Sequence, residues 1–344
     1  MRILVTGGAG MVGSHAAEYY ARIGDEVIVL DNLMRSKLFH SKKESVEYNW
    51  EYLTRYKNIK RVKGDVRNEA DVKKAIGRGV DAVIHTAGQP GVPLSIRIPK
   101  EDFSINAYGT LNVLETLRKR CPDAKFVYCS TNKIYGENVD KIPLIEKRTR
   151  YVYRGVKGVP EDLSMDHTGH TPYGASKYVG DIYTQEYAHI YNMKTAVFRM
   201  SCIYGIRQFG FEDQGWVAWF IVATLLKKPI TIYGDGKQVR DVLYVTDLIG
   251  AYDRFIRSNL KHEVFNVGGG PHNTISLLEF LDCVKEETGI TPKVRFDKWR
   301  PSDQKVYISD TSRIKEKLNW SPQVSPREGI RKLIEWIKEH RDLF

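Results

Sequence analysis

Short apolar runs alternate with amphipathic stretches through the first two hundred residues of the chain. Arg2–Thr6, Glu26–Asp31, Ile59–Lys63, Ala82–His85, Lys125–Cys129 and Thr195–Met200 are brief. Apart from the more basic Ile59–Lys63 they are rich in Val and Ile, which predicts strands buried on both faces. Between them, Val12–Ile23, Asp71–Ala75, Asn106–Arg118 and Ala175–Ile190 carry helical patterns. Such alternation predicts an α/β fold with a doubly wound parallel sheet, whose ligands sit at the carboxyl ends of the strands.

After about residue 205 the pattern loosens. Helical stretches (Trp216–Leu226, Leu277–Thr288, Pro326–His340) are separated by turn-rich segments such as Gly234-Asp235-Gly236 and Gly268-Gly269-Gly270-Pro271. A smaller mixed α/β lobe is expected there. The division is 1–205 for the sheet and 206–344 for the second lobe, with some chain crossing between them. An irregular insert, 137–171, precedes the fourth of the helical patterns, and inserts of that length in compact domains are usually functional.

The net charge of +11 raises the question of nucleic acid. Its Lys and Arg are spread along the chain and no RNA- or DNA-binding motif accompanies them, so a site for a phosphorylated small molecule accounts for the charge instead. The four cysteines lack CxxC spacing and histidine partners, so neither a metal site nor a disulfide framework is expected. No apolar run reaches the roughly 18 residues of a membrane span, and the N-terminus has no signal-peptide pattern, so a cytoplasmic location is expected.

The first strand runs directly into Gly7-Gly8-Ala9-Gly10-Met11-Val12-Gly13 and then a helix. Glycines at these spacings permit the turn, the approach of backbone to a pyrophosphate, and close helix–strand packing in a Rossmann-type unit. The helix N-terminus offers free N–H groups to the phosphates. Asp31 closes the second strand where a carboxylate holds the adenosine ribose hydroxyls and repels a 2′-phosphate, so NAD is favoured over NADP. Asp65-Val66 and Thr86-Ala87-Gly88 follow the third and fourth strands, along the course of the rest of the cofactor. Met11, Val12, Asn32, Asn106 and Ser130 complete the candidate cofactor contacts.

Tyr173-Gly174-Ala175-Ser176-Lys177 places a phenol and an ammonium on one helical face. A free tyrosine has a pKa near ~10. Lys177 and the positive nicotinamide ring would favour the phenolate, making Tyr173 a base that removes a hydroxyl proton. YxxxK alone arises easily by chance among 20 tyrosines; its weight comes from the glycine motif upstream.

Together with Cys129–Gly136, Arg199–Gly205, Gly234–Asp247 and Phe265–Gly268, these motifs make the chain resemble, over nearly its whole length, extended short-chain dehydrogenases/reductases of the NAD-dependent sugar epimerase/dehydratase family. The resemblance implies a nucleotide-sugar substrate, a catalytic triad of Thr131, Tyr173 and Lys177, and substrate contacts from Gln208, Gln214, Gly215 and Trp216. It also implies that Arg240 and Arg300 clamp the substrate diphosphate, and that helices 106–118 and 175–190 pair between subunits in a homodimer or homotetramer. Family 4,6-dehydratases carry an acidic pair after the catalytic Thr, because loss of water needs its own acid and base. Here Asn132-Lys133 stands there, which argues against dehydration and, likewise, against decarboxylation. A reductase must exchange its reduced cofactor, usually NADPH, and Asp31 argues against that. Epimerisation needs only the triad and NAD. Ser130–Gly136 and the stretch Arg207-Gln208-Phe209 … Asp213–Phe220 resemble the CDP-paratose (tyvelose) 2-epimerase subgroup more closely than UDP-galactose 4-epimerases. A non-catalytic dinucleotide sensor or RNA binder on the same fold is the alternative of another class, and the presence of the whole triad ranks it lower.

Overall fold

The computed structural model describes residues 1–39, 43–300 and 303–344. Its centre is a parallel sheet of seven strands: β1 (Arg2–Thr6), β2 (Glu26–Asp31), β3 (Ile59–Lys63), β4 (Ala82–His85), β5 (Lys125–Thr131), β6 (Lys194–Met200) and β7 (His262–Val267). The order is 7-6-5-4-1-2-3. The direction of winding reverses between β1 and β4, which are neighbours with Leu4 opposite Val83. That reversal opens the crevice into which the glycine turn after β1 projects.

The apolar strands are buried on both faces, as their composition predicts. Val5, Val29, Ile84, Val127 and Phe198 face one layer of helices. Leu4, Ile28, Val83, Phe126 and Val197 face the other. Two features depart from the sequence pattern. β5 continues through Ser130 to Thr131, and β7, absent from the expected six strands, comes from far down the chain to pair with β6. The half-polar run His262-Glu263 at its start masks it as a strand.

Beside the sheet and its flanking helices, a second core gathers residues between 204 and 337. The helix Trp216–Leu225 is apolar nearly all round because it is enclosed. The strand Val239–Tyr244 gathers Cys202–Tyr204, Thr274–Ser276 and Val306–Tyr307. The helix Leu277–Thr288 starts on a reciprocal Ser276–Glu279 capping box. The insert 137–171 bridges the two regions. Tyr151 and Val159 donate backbone hydrogen bonds to Lys237 and Ile308, at 3.0 and 2.7 Å. No helix among the described residues is long and apolar enough to cross a membrane.

Candidate active site

A cleft of about 1440 Å³, counting the space open at its mouth, runs along the carboxyl ends of β1, β2, β4 and β5. It begins at the glycine turn. Gly7 has φ +71°, and a Cβ there would lie 2.6 Å from the Ala87 nitrogen; one at Gly13 would lie 2.3 Å from the Gly7 carbonyl oxygen. Only glycine lets β1, the turn and the loop after β4 close on one another so tightly. Asp31, half-buried, accepts from the Ala9 and Leu33 backbone N–H groups at 2.9 and 2.7 Å. Burial pushes its carboxyl pKa up, and these hydrogen bonds oppose that.

At the other end stands the helix Pro172–Tyr191. Thr171 caps it, accepting from Gly174 N–H at 3.2 Å, and Pro172 occupies its first turn. The helix delivers Tyr173 and Lys177 into the cleft from one face. Thr131, at the end of β5, lies near enough to the Tyr173 phenol to favour its ionised form. Burial pushes that phenol up to about 12, against the opposing influence of Thr131, and burial pushes the Lys177 ammonium down to about 8. Desolvation dominates at both groups and favours their neutral forms, and the expected pull of Lys177 is not among the influences on the phenol.

Of the residues named from sequence, Gly7, Gly10, Met11, Val12, Gly13, Asp31, Asn32, Asp65, Val66, Thr86, Ala87, Gly88, Tyr173, Lys177, Gln208 and Gln214 all line this cleft. Others lie outside its wall. Asn106 is buried behind it, accepting from Gln89 N–H at 2.8 Å and donating to Ser176 Oγ at 3.1 Å. The Ser130 hydroxyl donates to Asp181 Oδ2 at 2.7 Å, away from the cleft. Gly215, at φ +76°, turns the chain into the helix that Trp216 opens, and the Trp216 ring packs on Phe280. Arg240 pairs with Asp303 at 2.8 Å, and Arg300 with Asp213 at 3.2 Å.

Sequence reasoning missed several cleft residues, chiefly Arg35, Phe39, Asn49, Arg207 and Phe209. Arg35 donates to the Phe209 carbonyl at 2.9 Å and to Gln214 Oε1 at 2.8 Å, beside the paired Phe39 and Phe211 rings. Both acceptors are neutral, and among the described residues no carboxylate pairs with this half-buried guanidinium. Its spacing of four residues from Asp31 was the available signal. Buried Arg207 pairs with Glu18 at 2.7 Å, and nothing local in the sequence marks that pair.

A carboxylate at one end, a half-buried cation and helix N–H groups between, and a Tyr–Lys pair at the far end fit a dinucleotide that presents a redox-active ring to a hydroxyl. Residues 3–268 match the NAD dependent epimerase/dehydratase family, and the chain belongs to it. It is an enzyme of that family, with NAD as its cofactor. The chain is 38% identical to the CDP-paratose 2-epimerase of Salmonella typhi, covering 98% of this chain and 99% of that protein. It is 32% identical to a putative UDP-glucose 4-epimerase of Methanocaldococcus jannaschii, covering 98% and 99%. Among solved structures, a Thermus thermophilus UDP-glucose 4-epimerase in complex with NAD superposes with a TM-score of 0.81 at 31% identity, covering 98% and 99%. The Bacillus cereus UDP-glucuronic acid 4-epimerase with UDP-glucuronic acid and NAD gives 0.84 at 27% identity, covering 99% and 100%.

Proposed function

We propose that this chain is a CDP-paratose 2-epimerase acting through Thr131, Tyr173 and Lys177. The observation that carries this reading is the end-to-end similarity to the Salmonella typhi enzyme. It is supported at the site by Asn132-Lys133, directly after Thr131, where an eliminating enzyme needs carboxylates.

Bound NAD supplies a hydride acceptor that returns the hydride, so no outside reductant is consumed. Thr131 Oγ1 orients the sugar hydroxyl, and the Tyr173 phenolate oxygen takes its proton and later gives it back. Lys177 and the oxidised ring's charge offset the burial that otherwise keeps the phenol protonated. Asp31, Asn32 and the glycine turn hold the adenosine end, and Arg35 supplies positive charge to the cofactor phosphates. Arg240 and Arg300, with Gln208, Gln214, Gly215 and Trp216, serve the nucleotide sugar from the smaller lobe (206–344), the cofactor lying on 1–205.

A second reading is 4-epimerisation of a UDP-sugar, favoured by the superposition of UDP-sugar 4-epimerases over the whole chain. Incubating the protein with CDP-paratose and UDP-glucose separately, without reductant, and following C2 and C4 by proton NMR decides between them. Inversion at C2 of the CDP sugar is expected; inversion only at C4 of the UDP sugar would replace the first reading by the second.

A homo-oligomer belongs to the same proposal. Phe103 and Tyr108, on the helical stretch 99–108, and Ile182, Tyr183 and Ile190, on the tyrosine helix, are exposed, an apolar surface suited to pairing with a second copy. Light scattering of Tyr183→Glu/Ile190→Glu should give a monomer mass where the wild type gives a multiple.

A further inference from the structure

Lys133 occupies a position that the proposed chemistry leaves unexplained. Its backbone N–H donates to Thr131 Oγ1 at 3.3 Å, and its carbonyl lies under the first turn of the tyrosine helix, where a Cβ on Gly174 would meet it at 2.8 Å. The residue is thus locked to both Thr131 and the neighbour of Tyr173. Its half-buried ammonium reaches Gln304 Oε1 at 3.5 Å, an atom that also accepts from Asn132 at 3.4 Å. Gln304 itself is anchored by donation to the Gly136 carbonyl at 3.1 Å. The Arg240 guanidinium and the Asp303 and Asp140 carboxyls act on the same ammonium electrostatically, while burial pushes it down to about 8.

Where the sugar is oxidised decides what such a cation can do. In a C4 epimerisation the reacting carbon lies across the ring from the anomeric diphosphate. In a C2 epimerisation it is bonded to the anomeric carbon, so the sugar-proximal phosphate is carried next to Thr131 and Tyr173. A cation carried by the residue hydrogen-bonded to Thr131, within electrostatic reach of Arg240, then has an anion to meet. Resting on the 2-epimerase reading, we infer that Lys133 is a specificity-determining residue that binds the substrate's sugar-proximal phosphate, fixing C2 rather than C4 against Tyr173. Asn132 and Gln304 orient its ammonium.

The test compares nucleoside diphosphate with monophosphate binding. The affinity ratios of CDP to CMP, and of UDP to UMP, are measured by calorimetry on NAD-loaded wild type, Lys133→Met and Lys133→Arg. Loss of one charge-assisted hydrogen bond should cut the ratio about tenfold or more in Lys133→Met. Lys133→Arg should recover most of it, with CMP binding unchanged in both. An unchanged ratio in Lys133→Met would overturn the assignment, as would equal losses for CMP and CDP, which signify a structural role. NAD content and thermal unfolding of each variant report folding independently. Because the ratio needs no turnover, it is separable from the C2 reading, which stands or falls on the wild-type NMR experiment.

Discussion

The Lys177 ammonium sits 4.3 Å from the centroid of the Tyr128 ring, and the Tyr128 hydroxyl donates to the Lys177 carbonyl at 3.1 Å. A cation drawn out of water by burial is thereby given an electron-rich face, an interaction of about 0.5–2 kcal/mol. Tyr128→Leu should lower kcat about tenfold while NAD content is retained. Tyr128→Phe keeps the ring and should stay within about threefold of wild type. Equal effects of the two substitutions would show that the ring face contributes nothing.

Tyr173→Phe removes the proposed base and leaves the ring in place. Turnover should fall by about a thousandfold or more, the scale of general acid–base catalysis, with NAD still bound. A sensor on this fold would keep its ligand response in the same variant. Steady-state kinetics beside a fluorescence titration with NAD separates the two.

His15 and His85 are buried, and burial pushes both imidazoles down to about 3. The unfolded chain binds these protons near the ordinary value of 6.5, the folded protein only near 3. Their contribution to stability is therefore complete above pH ~6.5 and is lost as pH falls toward ~3, at about 1.4 kcal/mol per pH unit each. His85 bridges Thr6 and Thr110 at 2.7 and 3.0 Å, roles an amide can keep. Between pH 7 and pH 5, urea unfolding should show His85→Gln losing about 2 kcal/mol less than wild type. Parallel losses in the two proteins would refute the linkage.

Arg199 and Asp181 form a buried ion pair at 3.1 Å, to which Ser130 and Tyr135 are hydrogen-bonded. Arg199→Met strands a carboxylate in the interior and should cost about 3–5 kcal/mol, with the double variant Arg199→Met/Asp181→Leu recovering most of it. Chemical denaturation of the three proteins measures the recovery directly.

Arg35→Met should weaken NAD retention about tenfold, because the guanidinium both supplies charge to the cleft and ties it to Phe209 and Gln214. Co-purified NAD per chain, and its release rate by fluorescence, give the answer. Full retention would assign Arg35 to packing alone.

The sheet and the cofactor half of the cleft were legible because they rest on local chemistry. Strands buried on both faces must be continuously apolar, and a turn as tight as Gly7–Gly13 must be glycine. Tyr173 and Lys177 were legible for the same reason, being neighbours on one helix. What escaped depends on contacts between distant segments. Arg35 is defined by Gln214, 179 residues away, and β7 by its pairing with β6. Tyr173 shows the limit differently. Spacing puts Lys177 on the same helical face, yet only the packing reveals that desolvation governs the phenol.

The outermost strand of the sheet, His262–Val267, is contributed by the chain after it has already built much of the second core. The sheet is therefore completed by chain that has already passed through the second core, and the two regions are not exchangeable cassettes. A chimera joined near residue 205 would give β6 a foreign outer partner in place of β7, and a mismatch there would expose a row of unpaired backbone groups, a template for aggregation. Grafting a relative's sugar specificity onto this protein must proceed through individual loops, with residues 262–267 inherited together with the sheet they complete.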